Sequence, residues 1–420
     1  MKSVTTNSFR VGDQLELEIE KLTFKGSGLG RTESKVIFVP YSAPLDQLLV
    51  EITEAKKNFY TAKIIKIIKP SPQRQDPPCE LFYKCGGCNW QHLNYESQIN
   101  AKELILDEIL ERQLKFDLKD LKNGILKPFL KNSKPFNYRN RIQVKSLKNH
   151  TGFFSKNTHE IIDMEKCLIA EESINLSYQK WKKLKKPDIE LTKYQIKIVS
   201  NNDIENKLSL SKDNITIEKL NDIKSELIDS KSDQEAKSQS MLLGFSQVNN
   251  EQNKNLIDLV LTYYSKFNLP KVLDLYGGPA NFSGPLALNY SNQLQAVCVE
   301  LNFNSYSEGL KLKSEKKLTN LKMINADVES YLKRQLNLDQ TFVILDPPRE
   351  GLSSVTIHQL LNLKPTVIVY ISCDPMTWAR DVLKLKEHYQ MDVVQGLDMF
   401  PQTDHFEIFS LWTKIDINLP

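Results

Sequence analysis

One cysteine stands where a reactive side chain is expected. The peptide SCDP, residues 372–375, follows the apolar run TVIVYI at 366–371, which is typical of a buried strand. Such a strand delivers the residue after it to the crevice above its sheet, so the sequence predicts that Cys373 faces that crevice. The thiol is a candidate nucleophile, a candidate metal ligand or a small residue that packs in the core.

Carboxylates follow the other predicted strands of this region. From about residue 241 onward, predicted strands alternate with helical segments, as in a doubly wound α/β sheet. The first strand leads into the turn DLYGGPANFS at 274–283, and the next three strands end at Glu300, Asp327 and Asp346. Glycine lets the backbone approach a ligand, and a carboxylate after the second strand suits ribose hydroxyls, while one after the third could accept from an adenine amine. This arrangement predicts a site for S-adenosylmethionine. The absence of a G-x-G-x-x-G turn argues against a dinucleotide.

A nucleophile and a base beside a methyl donor indicate one particular chemistry. Carbon 5 of uracil is a poor nucleophile, but a thiolate that adds to carbon 6 converts the ring into an enolate that can attack a sulfonium methyl group. A base must then remove the proton from carbon 5 so that the thiolate can leave. Cys373 can supply the thiolate, and Glu407, in DMFPQTDHFE at 398–407, can supply the base. The helix predicted at 376–387 would favour ionisation of the thiol, and His405 is either a capping or core residue or a participant.

A second group of cysteines lies nearer the N-terminus. Cys79, Cys85 and Cys88 form a C-x5-C-x2-C run, and Cys167 is available from a distant predicted strand. Four thiolates can hold a [4Fe–4S] cluster or a tetrahedral zinc ion, and the three-plus-one spacing fits the cluster better than the paired spacing usual for zinc. Reduced thiols without a metal are the remaining interpretation. Cys298, inside QAVCVE, is interpreted as a small core residue.

The rest of the chain divides into segments that could position these groups. Residues 9–70 contain alternating, β-rich stretches and predict a small β-barrel, in which FKGSGLGR is interpreted as a glycine-rich loop that either binds RNA or simply turns. The proline-rich stretch 69–79 marks a boundary. A helix is predicted over about 95–115, a hairpin within the lysine- and asparagine-rich stretch 171–240, and an amphipathic helix from Val248. We expect three domains, with the helix near 95–115 available to pack on the third: 1–70, 71–240 and 241–420.

Composition narrows the class of protein. The chain has 420 residues and a net charge of +4, from 56 Lys and Arg against 52 Asp and Glu, which neither requires nor excludes a nucleic acid. The polar N-terminus lacks the apolar core of a signal peptide, and no apolar run approaches the roughly 20 residues of a membrane helix. Six cysteines in so long a chain do not suggest a disulfide framework. We expect a cytoplasmic monomer that does not bind membranes.

Together these motifs resemble those of the iron–sulfur-type RNA (uracil-5-)methyltransferases, the family that makes 5-methyluridine in ribosomal and transfer RNA. The resemblance spans nearly the whole chain, and VGDQLELEIEKLTFKGSGLGR is similar to the start of the TRAM domain of that family, an RNA-binding β-barrel. It implies an α/β, Rossmann-like S-adenosylmethionine-dependent methyltransferase domain. This domain would follow an N-terminal barrel and a central α+β domain that carries a [4Fe–4S] cluster.

The resemblance also implies roles for single residues. SCDP is similar to the nucleophile motif and HFE to the base motif, which gives those roles to Cys373 and Glu407. YRNR, with Arg139 and Arg141, resembles a stretch near the RNA-facing surface. The residues implied to bind the donor are Gln247 in FSQVN, Tyr276, Asn281, Glu300, Asp327 and Asp346. The residues implied to hold the cluster are Cys79, Cys85, Cys88 and Cys167.

The donor loop departs from the family pattern D-L-Y/F-C-G-x-G-x-F. Gly277 stands in the place of the cysteine, and Ala280 in that of the second glycine, with Pro279 before it. A methyl group where the backbone meets the donor would weaken binding without removing a catalytic group. The stretch from Glu171 to residue 240 matches nothing in the pattern, so we expect substrate choice to be altered there.

The expected function is methylation of carbon 5 of a specific uridine in RNA, with 23S rRNA as the first target and tRNA as the alternative. A flipped uridine needs stacking partners, for which Phe245 and Phe400 are candidates, while lysines and arginines would contact phosphates. A non-catalytic iron–sulfur RNA-binding protein is the alternative from another class. An adenine amino-methyltransferase would favour an aromatic residue where Arg349 stands, and a cytosine-C5 enzyme would place a cysteine soon after Asp346.

Overall fold

The computed structural model describes most of the chain. The described residues are 9–33, 35–147, 150–156, 158–183, 194–199, 207–211, 216–217 and 247–415. They form three sheets, two of six strands and one of eight, and the eight-stranded sheet is covered by helices. Phe245 and the polar stretch SKSDQEAKSQS at 230–240, which we interpret as a solvated linker or loop, lie outside the described residues.

The N-terminal sheet has the apolar alternation that its sequence predicts. Its strands lie in the order β1-β5-β6-β4-β3-β2, and their alternate side chains fill a small core that includes Ile37, Val50 and Tyr60. The strand bounds are Gln14–Glu18 (β1), Lys21–Leu22 (β2), Gly28–Arg31 (β3), Val36–Val39 (β4), Gln47–Ala55 (β5) and Phe59–Lys69 (β6).

Two of the three glycines of FKGSGLGR have a different role from the one predicted. We interpreted the whole segment as a loop, but Gly28 and Gly30 lie in strand β3 and are buried. A Cβ atom on Gly28 would lie 2.0 Å from the hydroxyl oxygen of Ser42, and one on Gly30 would lie 2.7 Å from the carbonyl oxygen of Glu18. These two glycines therefore permit close packing of the sheet, whereas Gly26 lies in the preceding turn with a φ of 84°.

The middle of the chain contributes helices and a second sheet. This sheet has the order β10-β9-β8-β11-β12-β13 and contains the predicted hairpin, since β11 and β12 pair antiparallel. The elements are helices Tyr95–Glu108 (α1), continued by a π-helical turn at Ile109–Gln113, Leu118–Lys122 (α2) and Glu172–Lys183 (α3), with strands Leu126–Leu130 (β7), Arg141–Leu147 (β8), His150–Phe154 (β9), Ile161–Asp163 (β10), Tyr194–Val199 (β11), Lys207–Ser211 (β12) and Thr216–Ile217 (β13).

The C-terminal sheet carries the predicted alternation of strands and helices. Its strands are Lys271–Leu275 (β14), Gln295–Glu300 (β15), Leu321–Asn325 (β16), Thr341–Leu345 (β17), Val367–Ser372 (β18), Tyr389–Leu397 (β19) and Glu407–Lys414 (β20). Its helices are Asn250–Phe267 (α4), Ser283–Asn289 (α5), Phe303–Glu315 (α6), Val328–Leu332 (α7), Ser354–Leu363 (α8) and Pro375–Leu385 (α9).

Strand order places a crevice above the centre of this sheet. The order is β16-β15-β14-β17-β18-β20-β19-β7, with β14 to β18 mutually parallel and β20 antiparallel to both of its neighbours. The chain runs from β14 outward to β16 and then returns to β17 on the other side of β14. A ligand site is expected where the direction of strand order reverses, at the carboxyl ends of β14 and β17.

The segment around α1 belongs physically to the C-terminal sheet. Strand β7, from the range predicted for the central domain, pairs in parallel with β19, and apolar residues of α1 join the same buried cluster as β14 and β17. The sequence boundary at residue 240 therefore does not coincide with a boundary between packed units. Within the described ranges, no helix is both long and apolar enough to span a bilayer.

Candidate active site

A cavity of about 730 Å³ lies above the carboxyl ends of the central strands, and it is large enough for a small organic ligand. Seven of the eight side chains predicted to bind the donor or to act in catalysis line it, and Arg139, Arg349 and Phe400 join them. The seven are Gln247, Tyr276, Glu300, Asp327, Asp346, Cys373 and Glu407.

The loop after β14 forms the floor of the cavity. Three of its residues, Tyr276, Gly278 and Ala280, have φ values of 60°, 58° and 66°, so the backbone is left-handed at alternate positions. The backbone N–H of Gly278 donates to Glu300 Oε2 at 2.9 Å, which ties the loop to the end of β15. The strained geometry therefore serves to present backbone and the Tyr276 side chain to one carboxylate-lined space.

Two predicted features of this loop differ in the structure. Ala280 was expected to place its methyl group where the backbone meets the donor, but it is fully buried within the core cluster and does not line the cavity. Asn281 was predicted to bind the donor, yet it also lies outside the cavity lining. Its side-chain amide exchanges hydrogen bonds of 3.0 and 2.9 Å with Asn253 on α4. Asn281 therefore fastens the loop to that helix.

Two carboxylates at the ends of β15 and β16 are held in place by backbone groups. Glu300 accepts from Gly278 through Oε2 and from the N–H of Asn302 through Oε1, at 2.6 Å. Asp327 is the N-cap of α7 and accepts from the N–H of Ser330 through Oδ1 at 3.0 Å. Its capping role and a ligand-binding role are compatible, because the second carboxylate oxygen is available to a ligand.

Asp346, at the end of β17, sits in a strongly acidic neighbourhood. Burial, reinforced by the nearby charge of Asp274, raises the pKa of Asp346 to about 7, while Gln247 donates to its Oδ2 at 3.3 Å. Burial likewise raises the pKa of Asp274 to about 6, although Ser283 donates to it from both N and Oγ. Part of the Asp346 population is therefore protonated at neutral pH.

Cys373 lies as predicted between the end of β18 and the start of α9, where Asp374 is the N-cap. Burial and then the charge of Glu407 raise the pKa of the thiol to about 12, and Arg349 opposes them. The expectation that the helix N-terminus ionises the thiol is therefore not met in this state. Desolvation and the surrounding carboxylates outweigh the helix.

Glu407 opens strand β20 and is 2% exposed. Burial and then the charge of Asp346 raise its pKa well above the usual range, with Arg349 acting in the opposite direction. Its buried Oε2 has no hydrogen-bond partner among the residues that the structure describes. An unsatisfied buried oxygen is costly, and this one belongs to a side chain that lines the cavity, so it is suited to a ligand.

The remaining candidates divide between this cavity and its surroundings. Phe400 lines the cavity, whereas His405 packs with its ring centroid 6.2 Å from that of Phe400 and does not line it. Arg139 lines the cavity and Arg141, in β8, does not. Sequence reasoning missed Asn302, which lines the cavity while capping α6; its position two residues after Glu300 was the available signal.

The other four predicted ligands share a separate cavity. Cys79, Cys85, Cys88 and Cys167 all line a space of about 570 Å³, and Arg139 lines it as well. Burial raises the pKa of Cys88 to about 12 and that of Cys167 to about 11. In the described part of the chain, no three His, Cys, Asp or Glu side chains are arranged to hold a metal ion. The donor type and shared space fit a thiolate-bound group, but the side chains do not converge as a mononuclear site requires.

Comparisons with known proteins give independent findings. Residues 178–415 match the family described as tRNA (uracil-5-)-methyltransferase, and residues 8–65 match the TRAM domain. An uncharacterized RNA methyltransferase of Bdellovibrio bacteriovorus is 36% identical over 94% of each chain, and one of Fusobacterium nucleatum is 28% identical over 96% of each.

One solved structure is similar along nearly the whole chain. It is the tRNA (uracil-54, C5)-methyltransferase of Pyrococcus abyssi in complex with S-adenosyl-L-homocysteine. The TM-score is 0.69 at 24% identity, and the match covers 95% of this chain and 100% of the other. At that identity the likeness establishes a shared fold.

Proposed function

The chain belongs to the tRNA (uracil-5-)-methyltransferase family, and we propose that it transfers a methyl group from S-adenosylmethionine to carbon 5 of a uridine in RNA through a covalent bond to Cys373. The observation that carries this proposal is the single cavity that a thiol, a buried carboxyl group and the donor-type carboxylates all face. Each of these groups alone can be explained by a structural role. Their convergence on one cavity is not explained in that way.

The donor would be held by the strand-end residues. Glu300 can accept from ribose hydroxyls and Asp327 from an adenine amine, while Tyr276 and Gln247 lie in the same wall. Bound S-adenosylmethionine supplies a methyl group on a positively charged sulfur. The carboxyl groups of the cavity attract that charge, and so the cavity favours the charged donor over its neutral product.

Cys373 and Glu407 would perform the chemistry on the uracil ring. The sulfur of Cys373 bonds to carbon 6, and the electrons of the ring double bond move toward oxygen 4 as an enolate. Carbon 5 then takes the methyl group, and the donor sulfur keeps the electron pair of the broken bond. Glu407 removes the proton from carbon 5, the double bond re-forms, and Cys373 leaves as a thiolate.

Both groups must lose protons before they act, because burial favours their neutral forms. A cation near them lowers the pKa of a thiol or a carboxyl group, and both Arg349 and the donor sulfonium are cations. We propose Asp346 as the acceptor of the Cys373 proton, since its pKa of about 7 leaves it partly ionised at neutral pH. Methyl transfer is therefore expected to accelerate with pH through the neutral range.

RNA would bind across the cavity mouth. Arg139 lines both cavities and can reach an RNA phosphate, while Phe400 offers an aromatic surface for a flipped base. The TRAM domain match supports RNA as the partner. We propose 23S rRNA as the target and tRNA, named in the family description, as the alternative, and we expect a cytoplasmic monomer.

The cysteine cavity is proposed to hold a [4Fe–4S] cluster through Cys79, Cys85, Cys88 and Cys167. Four thiols in one cavity support this, and the wide space suits a cluster better than one ion. Protein purified without oxygen should contain about four irons per chain and show visible iron–sulfur absorption. Zinc in place of iron would contradict the assignment of an iron–sulfur cluster. A folded protein without metal would contradict the assignment of any metal site.

The methyltransferase proposal is tested by mapping 5-methyluridine. RNA from cells with the gene deleted would be incubated with S-adenosylmethionine and either the wild-type enzyme or the Cys373→Ala variant. We expect one uridine to gain a methyl group with the wild-type enzyme alone, and its position identifies rRNA or tRNA. Failure of the wild-type enzyme to bind millimolar donor would instead support the non-catalytic RNA-binding alternative.

A further inference from the structure

A buried polar network lies beneath the segment that joins β19 to the catalytic base. This connecting segment, residues 398–404, carries Phe400 at the cavity wall and ends three residues before Glu407. Asp398, Gln402 and Asp404 within it are at most 3% exposed. A buried segment without helix or strand pairing needs other partners for its polar groups. One helix supplies partners for Asp398 and Gln402, while Asn89 pairs with Asp404.

One face of α1 makes those contacts. Tyr95, Gln98 and Lys102 are spaced at i, i+3 and i+7, which places them on the same side of the helix. The ammonium group of Lys102 donates to Asp398 Oδ1 at 2.5 Å and to the carbonyl oxygen of Phe400 at 3.2 Å. Both charged side chains are fully buried. Lys102 therefore binds the connecting segment at two points.

The other two residues of this face make further hydrogen bonds to the connecting segment. The hydroxyl of Tyr95 donates to Asp398 Oδ2 at 2.7 Å and accepts from the N–H of Asn132 at 2.8 Å. Gln98 donates to the side chain of Gln402 at 3.0 Å and accepts from the backbone N–H of the same residue at 3.0 Å. Every one of these bonds has a defined direction, unlike apolar packing.

Stability alone does not account for such a network. Replacing a buried ion pair with apolar residues of similar volume is often neutral or stabilising, because the charges lose their hydration. The remainder of α1 already packs through apolar residues such as Ile99, Ile105 and Leu106. The network instead holds the connecting segment in one position on both sides of Phe400.

We propose that the Tyr95–Gln98–Lys102 face of α1 is a positioning element, centred on Lys102, that sets the orientation of Phe400 and Glu407 in the active-site cavity. The inference rests on the proposed roles of Glu407 and Cys373 and adds to them. Lys102 contacts neither cavity, so it is a positioning residue and not a catalytic one. A displacement of about 1 Å in such a group can slow a reaction roughly a hundredfold.

The test removes both charges together, in the double variant Lys102→Met/Asp398→Asn, so that no single buried charge remains. A matched control is Arg74→Met/Asp46→Asn, which removes another ion pair, at 2.7 Å, between a partly buried arginine and a buried aspartate that do not contact the connecting segment. Each full-length protein would be assayed with RNA from cells lacking the gene, under single-turnover conditions across pH. Binding of S-adenosylhomocysteine and the melting temperature would be measured alongside.

We expect the Lys102 double variant to transfer methyl groups at least about tenfold more slowly than the control. Its pH–rate profile should also shift to lower pH, because water that reaches a displaced Glu407 lowers the pKa of that carboxyl group. Affinity for S-adenosylhomocysteine should stay within about threefold of wild type, since the donor residues lie on other strands. A rate and pH profile equal to those of the control would overturn the inference.

A second variant covers the case in which the double variant does not fold. Gln98→Met keeps the volume of the side chain and removes its two bonds to Gln402, together with its bonds to the carbonyl oxygens of Trp90 and Leu93. It should slow methyl transfer about threefold or more with unchanged S-adenosylhomocysteine affinity, and a folded variant with the wild-type rate would contradict the proposal. A wild-type enzyme that bound RNA and donor but formed no 5-methyluridine would overturn the proposed function itself.

Discussion

The strand-end cavity and the cysteine cavity share Arg139 in their walls, yet they are built and charged differently. The first collects single residues that follow successive strands, and its lining contains Glu300, Asp327, Asp346 and Glu407. The second collects thiols from two chain segments, and its lining contains basic side chains but no acidic one. One cavity suits a cation, and the other suits an anionic group.

This difference assigns different tasks to two kinds of cysteine. Burial and then the charge of Glu407 raise the pKa of Cys373, so a further cation that arrives in this cavity favours its thiolate. Burial also raises the pKa of Cys88 and Cys167 in the other cavity, but the basic side chains of Arg139, Lys156 and Lys166 share its lining and suit a bound group with negative charge. We therefore expect variants of the two cavities to fail in different ways.

The largest expected effect separates these cysteines directly. Cys373→Ala should reduce methylation by at least about a thousandfold and leave RNA binding intact, because it removes the atom that bonds to carbon 6. Cys88→Ala should act mainly through folding and metal content, with activity per folded molecule reduced much less. Methyl incorporation normalised to folded protein measures both. Equal losses of activity per folded molecule in the two variants would contradict this distinction between the cysteines.

A smaller effect is expected on donor binding when Asp346 is neutralised. The Asp346→Asn variant should bind S-adenosylmethionine roughly tenfold more weakly while its affinity for S-adenosylhomocysteine changes less, because only the former carries a positive charge. Isothermal titration with both ligands measures the difference. Equal weakening for the two ligands would show that the acidity of the cavity does not select the cation.

The same variant should be more stable than wild type at high pH. Since burial raises the pKa of Asp346 to about 7 in the folded chain, its ionisation costs stability that begins above the unfolded value near 4 and is complete above about 7. Asp346→Asn should therefore be more stable by roughly 1–2 kcal/mol at pH 8 and melt at a higher temperature there, with the advantage vanishing near pH 4. Thermal unfolding across this range, compared with Asp339→Asn in the exposed turn that precedes β17, checks the sign.

The donor loop offers a finer test of packing. A Cβ atom on Gly277 would lie 2.6 Å from the sulfur of Cys298 and 2.7 Å from the Asp274 carboxyl carbon. Gly277→Ala should cost about 1–3 kcal/mol of stability, and adding Cys298→Ala should recover part of it. Chemical denaturation of the single and double variants measures the coupling, and additive effects would contradict the contact.

The smallest effect is expected at Ala280. Glycine there relieves a left-handed backbone conformation but also removes a buried methyl group, so the free energy of unfolding should change by less than about 1 kcal/mol. Because that methyl group lies in the core, S-adenosylhomocysteine affinity should not change. A clear rise in affinity would restore the sequence-based view that Ala280 obstructs the donor.

The grouping of residues in the strand-end cavity was predictable because parallel strands bring their carboxyl ends to the same edge of the sheet. Glu300, Asp327, Asp346 and Cys373 could be placed together from sequence for that reason alone. Asn281 could not, because whether a loop side chain turns to the ligand or to a neighbouring helix depends on packing. The protonation of Cys373 was also missed, since burial depends on the assembled cavity.

Long-range partners were the part that sequence could not supply. Helix α1 was predicted, along with its ability to pack on the catalytic sheet, but the pairing of Lys102 with Asp398 spans 296 positions. The same holds for β7, which joins the sheet beside β19 from within the range assigned to the central domain. A lysine within an otherwise amphipathic helix is usually exposed, and only the fold shows that this one is buried.

The covalent intermediate tests the central claim most directly. In Glu407→Gln, Cys373 should still attack carbon 6 and carbon 5 should still take the methyl group, but no base removes the proton that must leave first. The variant, mixed with RNA and S-adenosylmethionine, should run as a protein–RNA adduct on a denaturing gel, with the RNA attached to the Cys373 peptide by mass spectrometry. The Cys373→Ala/Glu407→Gln double variant should give no such band. Absence of an adduct in Glu407→Gln, or attachment at another residue, would contradict the account.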